Sequence, residues 1–228
     1  RGAGYRRMKC PVLIIAGWAD GYRNNTFRTI ENMPGWRLIA GPWAHKDPST
    51  ARPAPNIDCD LELMRFFDRT LRDGAAVPAS RGRVFVRRPT APEPDLALHN
   101  GSWVEVDEWP PPGLRATVFA NDAGDDDPDD GAVDEIVVAG DVGVAAWNSC
   151  AGGLPWGQSL DQRMDNARSI TYDWSHTDET MVLGHAEVAL QVRSSAAVGH
   201  VSVKLCDVAP DGTSTLITRT LVDLAQRG

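Results

Sequence analysis

Two stretches decide the fold: "LIIAGWADGYRNN" (Leu13–Asn25) and "LIAGPWAHKD" (Leu38–Asp47). Each is an apolar run that breaks at glycine, passes a tryptophan and ends on one reactive side chain. The first ends on Asp20 and the second on His45. Val12 to Ala16 is continuously apolar, which marks a strand covered on both faces in a parallel sheet, and Trp36 to Ala40 is a second such run. Between them, Asn24 to Asn32 reads as a helix stopped by Pro34-Gly35. Functional groups in parallel α/β sheets gather at the carboxyl ends of strands. The pattern therefore predicts an acid and a histidine presented from two successive strand ends.

Downstream, a Pro-rich loop (Pro48, Pro53, Pro55) precedes "DCDLELMRFFDRTLRDG". Its Leu61, Met64, Phe67, Thr70 and Leu71 recur at three- and four-residue spacing, predicting a helix that packs through that face and ends at Gly74. Residues 1–76 are thus β-α-β-α in character. From residue 77 the texture changes to short strands and turns: "GRVFVRR", "RATVFAN", "DEIVVAG", "RSITYDW", "AEVALQVRSS", "HVSVKLCDVAPDG" and "TLITRTLVDL". The last three alternate as half-buried antiparallel strands do. Residues 77–228 are expected to form an antiparallel sandwich or jelly roll.

The chain of 228 residues suffices for one large or two modest domains. A net charge of −8 argues against a nucleic-acid or anionic-membrane surface, and the arginines form no basic stripe. No run is long and apolar enough to span a membrane. Cys10, Cys59, Cys150 and Cys206 show neither paired nor zinc-type spacing, so they read as free buried thiols in a reducing, cytoplasmic compartment. The sequence opens at "RGAGYRRMKCPVLII", almost directly into a buried-type strand, and reads as a piece of a longer protein.

An acid followed by a histidine on consecutive strands matches the second half of the nucleophile–acid–histidine order of α/β-hydrolases. In a catalytic triad the acid holds the imidazole's tautomer and the imidazole takes the nucleophile's proton. The plainer reading is that Asp20 caps the following helix and His45 is a loop histidine. The nucleophile is missing under either reading. No serine of the chain has a glycine both two positions before and two positions after it, and all except Ser49 lie in the β-rich part.

"PVLIIAGWADGY", "LIAGPWAH", "FFDRTLRDG", "WVEVDEWPP", "DQR" (Asp161–Arg163), "GHAEVALQVRSS" and "VKLCDVAPDGTSTLIT" together resemble the cocaine-esterase and X-prolyl dipeptidyl-peptidase family of serine hydrolases. The resemblance covers nearly the whole chain. It implies the C-terminal segment of an α/β-hydrolase domain in residues 1–76, followed by a galactose-binding-like jelly roll in 77–228. It further implies Asp20 as triad acid, His45 as general base, and Tyr22, Trp18 and Trp43 as acyl-pocket residues. The implied activity is acyl-esterase or dipeptidyl-peptidase cleavage of a small ester or peptide, without a cofactor. The serine and oxyanion hole would come from the N-terminal remainder of the same hydrolase, so the isolated chain is expected to be inactive. Oligomeric state stays open.

The competing reading is a non-catalytic β-sandwich binding or oligomerisation module docked by the first 75 residues. Trp103 and Trp109, flanking "VEVDE", fit burial at a sandwich edge or exposure for sugar binding equally well. "GDDDPDDG" (Gly124–Gly131) lacks the glycine and bidentate glutamate of a calcium loop and reads as a solvated turn. His176 with Asp178, His185, and His45 with Asp47 show no supporting metal-ligand pattern, and no metal site is expected.

Overall fold

The computed structural model describes residues 4–74, 80–119, 134–137, 140–146, 158–175 and 178–226. A four-stranded sheet is built from β1 (Val12–Gly17), β2 (Trp36–Gly41), β3 (Arg81–Arg87) and β4 (Gly101–Val106), in that spatial order. β1, β2 and β3 run parallel, and β4 returns antiparallel to β3. The domain boundary expected between 76 and 77 lies outside the described residues, and the sheet holds strands from both sides of it. "GRVFVRR", grouped in the sequence with the β-sandwich, is here a strand beside β2. Alternation identifies an amphipathic extended segment but not its neighbour.

β2 is the central strand and buries five of its six residues. Its two faces carry separate cores. Trp36, Leu38 and Ala40 pack with Phe27 and Ile30 of α1 (Arg23–Asn32), Met33 just beyond it, and Val84, Val106 and Trp109. On the other face Ile39 packs with Trp43 and Ala51, supported by Leu13, Ile15, Ile57 and Trp103. Gly35, at φ +68°, makes the turn from α1 into β2 that a side chain would strain. β1 is only half-buried over most of its length, short of the two-sided burial its composition suggests. Among the described residues its outer edge pairs with no strand. Trp103 meets Phe85 edge-on at 5.3 Å and lies under the Arg83 guanidinium, while Trp109 stacks near Phe27 at 4.3 Å. Both tryptophans are therefore committed to the sheet's cores and not to a sugar platform.

The helix α2 (Cys59–Phe67) starts where Asp58 Oδ1 accepts the Leu61 N–H, and a π turn (Asp68–Arg72) carries it on to Gly74. Its orientation corrects the sequence expectation. Leu61, Met64, Phe67 and Leu71 are exposed, whereas Leu63, Phe66 and Thr70 are half-buried and Glu62 is tied to Arg83 at 2.8 Å. The helix is apolar on two sides, so spacing alone did not select the inner one.

In the C-terminal part, β5 (His200–Val208) and β6 (Ser214–Asp223) form an antiparallel hairpin with a bulge at Leu205/Cys206. The "DQR" triplet latches it. Asp161 Oδ1 accepts the Ser214 and Arg163 N–H groups, and fully buried Gln162 accepts from Lys204 Nζ at 3.0 Å while donating to the Ala145 carbonyl. The other expected strands form no ladder among their described residues. Val118, Val137, Ile170, Trp174, Val188 and Leu190 stand exposed there. Extended amphipathic chain becomes sheet only when a partner supplies the hydrogen bonds. The Gly124–Gly131 loop, Cys150 and His176 lie outside the described residues. Cys10, Cys59 and Cys206 are free; Cys10 is exposed and the other two are half-buried, so the thiols are less buried than expected.

His99 is buried, with Nδ1 3.3 Å from both Thr90 Oγ1 and the Asn100 carbonyl. Burial first, and the nearby Arg87 charge second, pull its pKa from 6.5 down to about 4. Between those values the unfolded chain binds more protons than the folded one, so stability falls as pH drops through that window. We predict a loss on the order of 1–2 kcal/mol between pH 7.5 and pH 5 from this residue. Urea unfolding at both pH values should show a smaller loss in His99→Gln; equal losses would contradict the assignment.

Close approach at the strand ends gives a second prediction. A Cβ at Gly17 would lie 2.9 Å from the Trp43 carbonyl carbon and nearer still to its oxygen, both backbone atoms that cannot swing aside. Gly17→Ala should destabilise the chain by about 2–4 kcal/mol, read as a lower urea midpoint. An unchanged midpoint would show that the loops do not meet as described.

Candidate active site

The parallel register of β1 and β2 aligns Ala16 with Ala40 and Gly17 with Gly41. Pairing continues beyond the strands. The Trp18 N–H donates to the Gly41 carbonyl at 2.9 Å, and the Ala19 N–H donates to the Trp43 carbonyl at 3.0 Å. "AGWAD" and "AGPWAH" thus leave the sheet side by side. The extra Pro42 offsets the second loop by one residue, which matches His45 to Asp20.

Asp20 Oδ2 lies 2.8 Å from His45 Nδ1, and Asp20 Oδ1 accepts the Tyr22 N–H, also at 2.8 Å. Of the two roles the sequence left as alternatives, Oδ2 faces the histidine, whereas Oδ1 closes a turn ahead of α1, whose N-cap is Tyr22 and which carries no side-chain cap. A carboxylate only accepts, so Nδ1 donates to it, and in the neutral ring the lone pair is left on Nε2. The Asp20 side chain is 19% exposed and that of His45 is 56% exposed. Among the described residues nothing hydrogen-bonds to Nε2. The pair has the form of a base oriented by an acid and open on its working side.

The loop carrying His45 is held from below. Trp43 is 1% exposed, its indole N–H donates to the Pro55 carbonyl at 2.8 Å, and the Ala44 N–H reaches the Arg52 carbonyl at 2.9 Å. Gly41 makes room for the Trp43 ring, which would stand 2.5 Å from a Cβ there. Trp43, expected to shape an acyl pocket, is instead an anchor of the core. Trp18 is also locked: it stacks on Phe27 at 4.9 Å and its Nε1–H donates to the Phe85 carbonyl at 2.7 Å. Tyr22 alone of the three stands in the open, 62% exposed, with its ring 5.5 Å from that of His45.

Asp47 accepts the Ser49 N–H and ends a turn of its own loop. His185 is bonded to Glu31 of α1 at 2.7 Å. Among the described residues no group of three or more His, Cys, Asp or Glu is placed to hold a metal ion, and no helix is long and apolar enough to cross a membrane.

Beside this pair lies a cavity of about 80 Å³ that sequence reading missed. Its lining brings together Arg23 from α1, Arg87 from the end of β3 and Arg219 from β6, with Trp18 and Ala19 as part of its wall. Residues so far apart in the chain carry no local pattern that could have announced it.

The sequence profile of the X-Pro dipeptidyl-peptidase C-terminal non-catalytic domain matches residues 80–228. The chain is 30% identical over 224 residues to the "Putative serine esterase Mb1866c" of Mycobacterium bovis, covering 91% of this chain and 34% of that protein. It is 26% identical over 252 residues to the "Cocaine esterase" of a Rhodococcus species, covering 96% of this chain and 42% of that protein. The chain therefore spans well under half the length of these relatives. No solved structure gives a significant match. Asp20 and His45 precede residue 80, outside the segment whose profile is described as non-catalytic. By this profile and these relatives, the chain belongs to the cocaine-esterase and X-Pro dipeptidyl-peptidase family, of which it corresponds to the C-terminal part.

Proposed function

We propose that Asp20 and His45 are the acid and the general base of a serine hydrolase that cleaves ester or amide bonds. The observation that carries this reading is the 2.8 Å Asp20–His45 pair, set on adjacent parallel strand ends with Nε2 unengaged among the described residues. The nucleophilic serine and the oxyanion donors then belong to a part of the protein outside this chain. In the first half-reaction His45 Nε2 takes the serine hydroxyl proton as the oxygen adds to the substrate carbonyl. It then passes that proton to the leaving alcohol or amine as the tetrahedral intermediate collapses to an acyl-serine. In the second, Nε2 takes a proton from water, hydroxide adds to the acyl carbon, and the serine leaves reprotonated with release of the acid. Throughout, Asp20 keeps the proton of the neutral ring on Nδ1 and stabilises the imidazolium. Tyr22, exposed beside His45, is the pocket residue we retain.

We further read residues 1–76 as the C-terminal segment of an α/β-hydrolase domain and 77–228 as a jelly roll. Two features support a covering remainder of the same protein. Among the described residues β1 presents an unpaired edge on an apolar strand, which folded proteins seldom leave bare. Leu61, Met64, Phe67 and Leu71 give α2 an outer apolar stripe that is exposed among the described residues. The unpaired Cys10, Cys59 and Cys206 favour a reducing, cytoplasmic setting. The family description "non-catalytic" favours a second, compatible reading for residues 80–228 alone, as a binding or oligomerisation module.

Assays of the whole protein with a small acyl ester and with an X-Pro peptide test the catalytic reading and the substrate class together. Asp20→Asn should lower kcat about 10⁴-fold and His45→Ala about 10⁶-fold, with folding intact by circular dichroism. Tyr22→Ala should act mainly on KM. A variant of Asp20 or His45 with wild-type kcat would remove that residue from the mechanism.

A further inference from the structure

The cavity beside the acid–histidine pair gathers three guanidinium groups without matching acids. Arg23, Arg87 and Arg219 come from three different elements, and each is half-buried. Among the described residues none of them is in an ion pair within 4 Å; instead Arg23 donates to the Asp20 carbonyl at 3.2 Å and Arg87 to the Ile217 carbonyl at 3.4 Å. The Asp20 carboxylate is already occupied by His45 and the Tyr22 N–H. Glu93 is the one acid in the lining, and it is exposed at the rim. His99 lines the same space and is neutral at physiological pH, so it adds no charge.

Like charges held this close repel. The pKa of Arg87 is pulled down to about 10, by burial first and by Arg23 second, and that of Arg23 is lowered by burial and then by Arg219. Such an arrangement is stable when a shared anion sits among the cations. Guanidinium forks suit a planar carboxylate or a phosphate because each offers two parallel donors. The cavity volume is about 80 Å³. That is small against the ~300 Å³ of a typical small-molecule pocket and suits a single oxyanion group.

We propose that this cavity, bounded by Arg23, Arg87 and Arg219, is a binding site for a single small oxyanion, a carboxylate or a phosphate group. The anion joins the β5–β6 hairpin to the loop that carries Asp20. The site stands independently of the hydrolase reading, since none of its three arginines takes part in the chemistry assigned above.

The test uses sodium phosphate and sodium acetate as probes, each titrated at constant ionic strength with sodium chloride as balance. Melting temperature and isothermal calorimetry are followed at pH 7.5 for the whole protein and for its Arg87→Gln and Arg219→Gln variants. The wild type should show a saturable rise in Tm and a saturable heat. Arg219→Gln, at the half-exposed wall and so tolerant of folding, should weaken binding about tenfold or more, as should Arg87→Gln. Saturation by phosphate alone, by acetate alone or by both identifies the anion class. No saturable binding of either probe, or binding undiminished in both variants, would overturn the proposal.

Discussion

The site depends on a pairing that outlives its strands. β1 and β2 are in parallel register up to Gly17 and Gly41, and then two further backbone hydrogen bonds, Trp18 to Gly41 and Ala19 to Trp43, keep the departing loops together. Glycine at both strand ends is what allows it, because Trp43 occupies the space a side chain would fill above each of them. The Asp20–His45 contact follows from this backbone arrangement and needs no long-range adjustment of side chains. An imidazole 56% exposed would otherwise sample many rotamers; here one carboxylate oxygen fixes its ring while the other is fixed by the main chain.

The same sheet shows how the molecule is shared between parts. Its strand β2 is covered on both faces, yet among the described residues β1 has a free edge and the neighbouring α2 turns apolar side chains outward. Toward the C-terminus, β3 and β4 extend the sheet, and β6 meets it through Arg87 and Thr215, whose hydroxyl donates to the Thr90 carbonyl. The arginine-lined cavity lies at that meeting. The segment matched by a non-catalytic profile also touches the loop that carries the acid, through the Trp18 indole N–H donated to the Phe85 carbonyl.

Much of this was legible in the residues. The glycine breaks, the strand-end positions of Asp20 and His45, α1, the α2 segment and the extended character of β5 and β6 all follow from local signals: apolar runs, a Pro-Gly stop, three- and four-residue spacing and alternation. What the sequence left unread was nonlocal. Alternation in "GRVFVRR" does not say that its neighbour is β2, and a helix with apolar residues at both 61/64/67 and 63/66 does not say which side faces in. Trp18 and Trp43 look alike beside their reactive neighbours, yet both are tied into the interior by indole hydrogen bonds to the Phe85 and Pro55 carbonyls. Three arginines from α1, β3 and β6 meet only once the chain has folded.

The central claim is that Asp20 orients His45 so that its Nε2 serves a serine supplied from elsewhere in the protein. A crystal structure of the whole protein tests it most directly. The account predicts a serine Oγ from outside this chain about 2.6–3.2 Å from His45 Nε2, with the Nδ1–Asp20 contact intact. A His45 Nε2 facing solvent or another carboxylate, with no serine in reach, would contradict it.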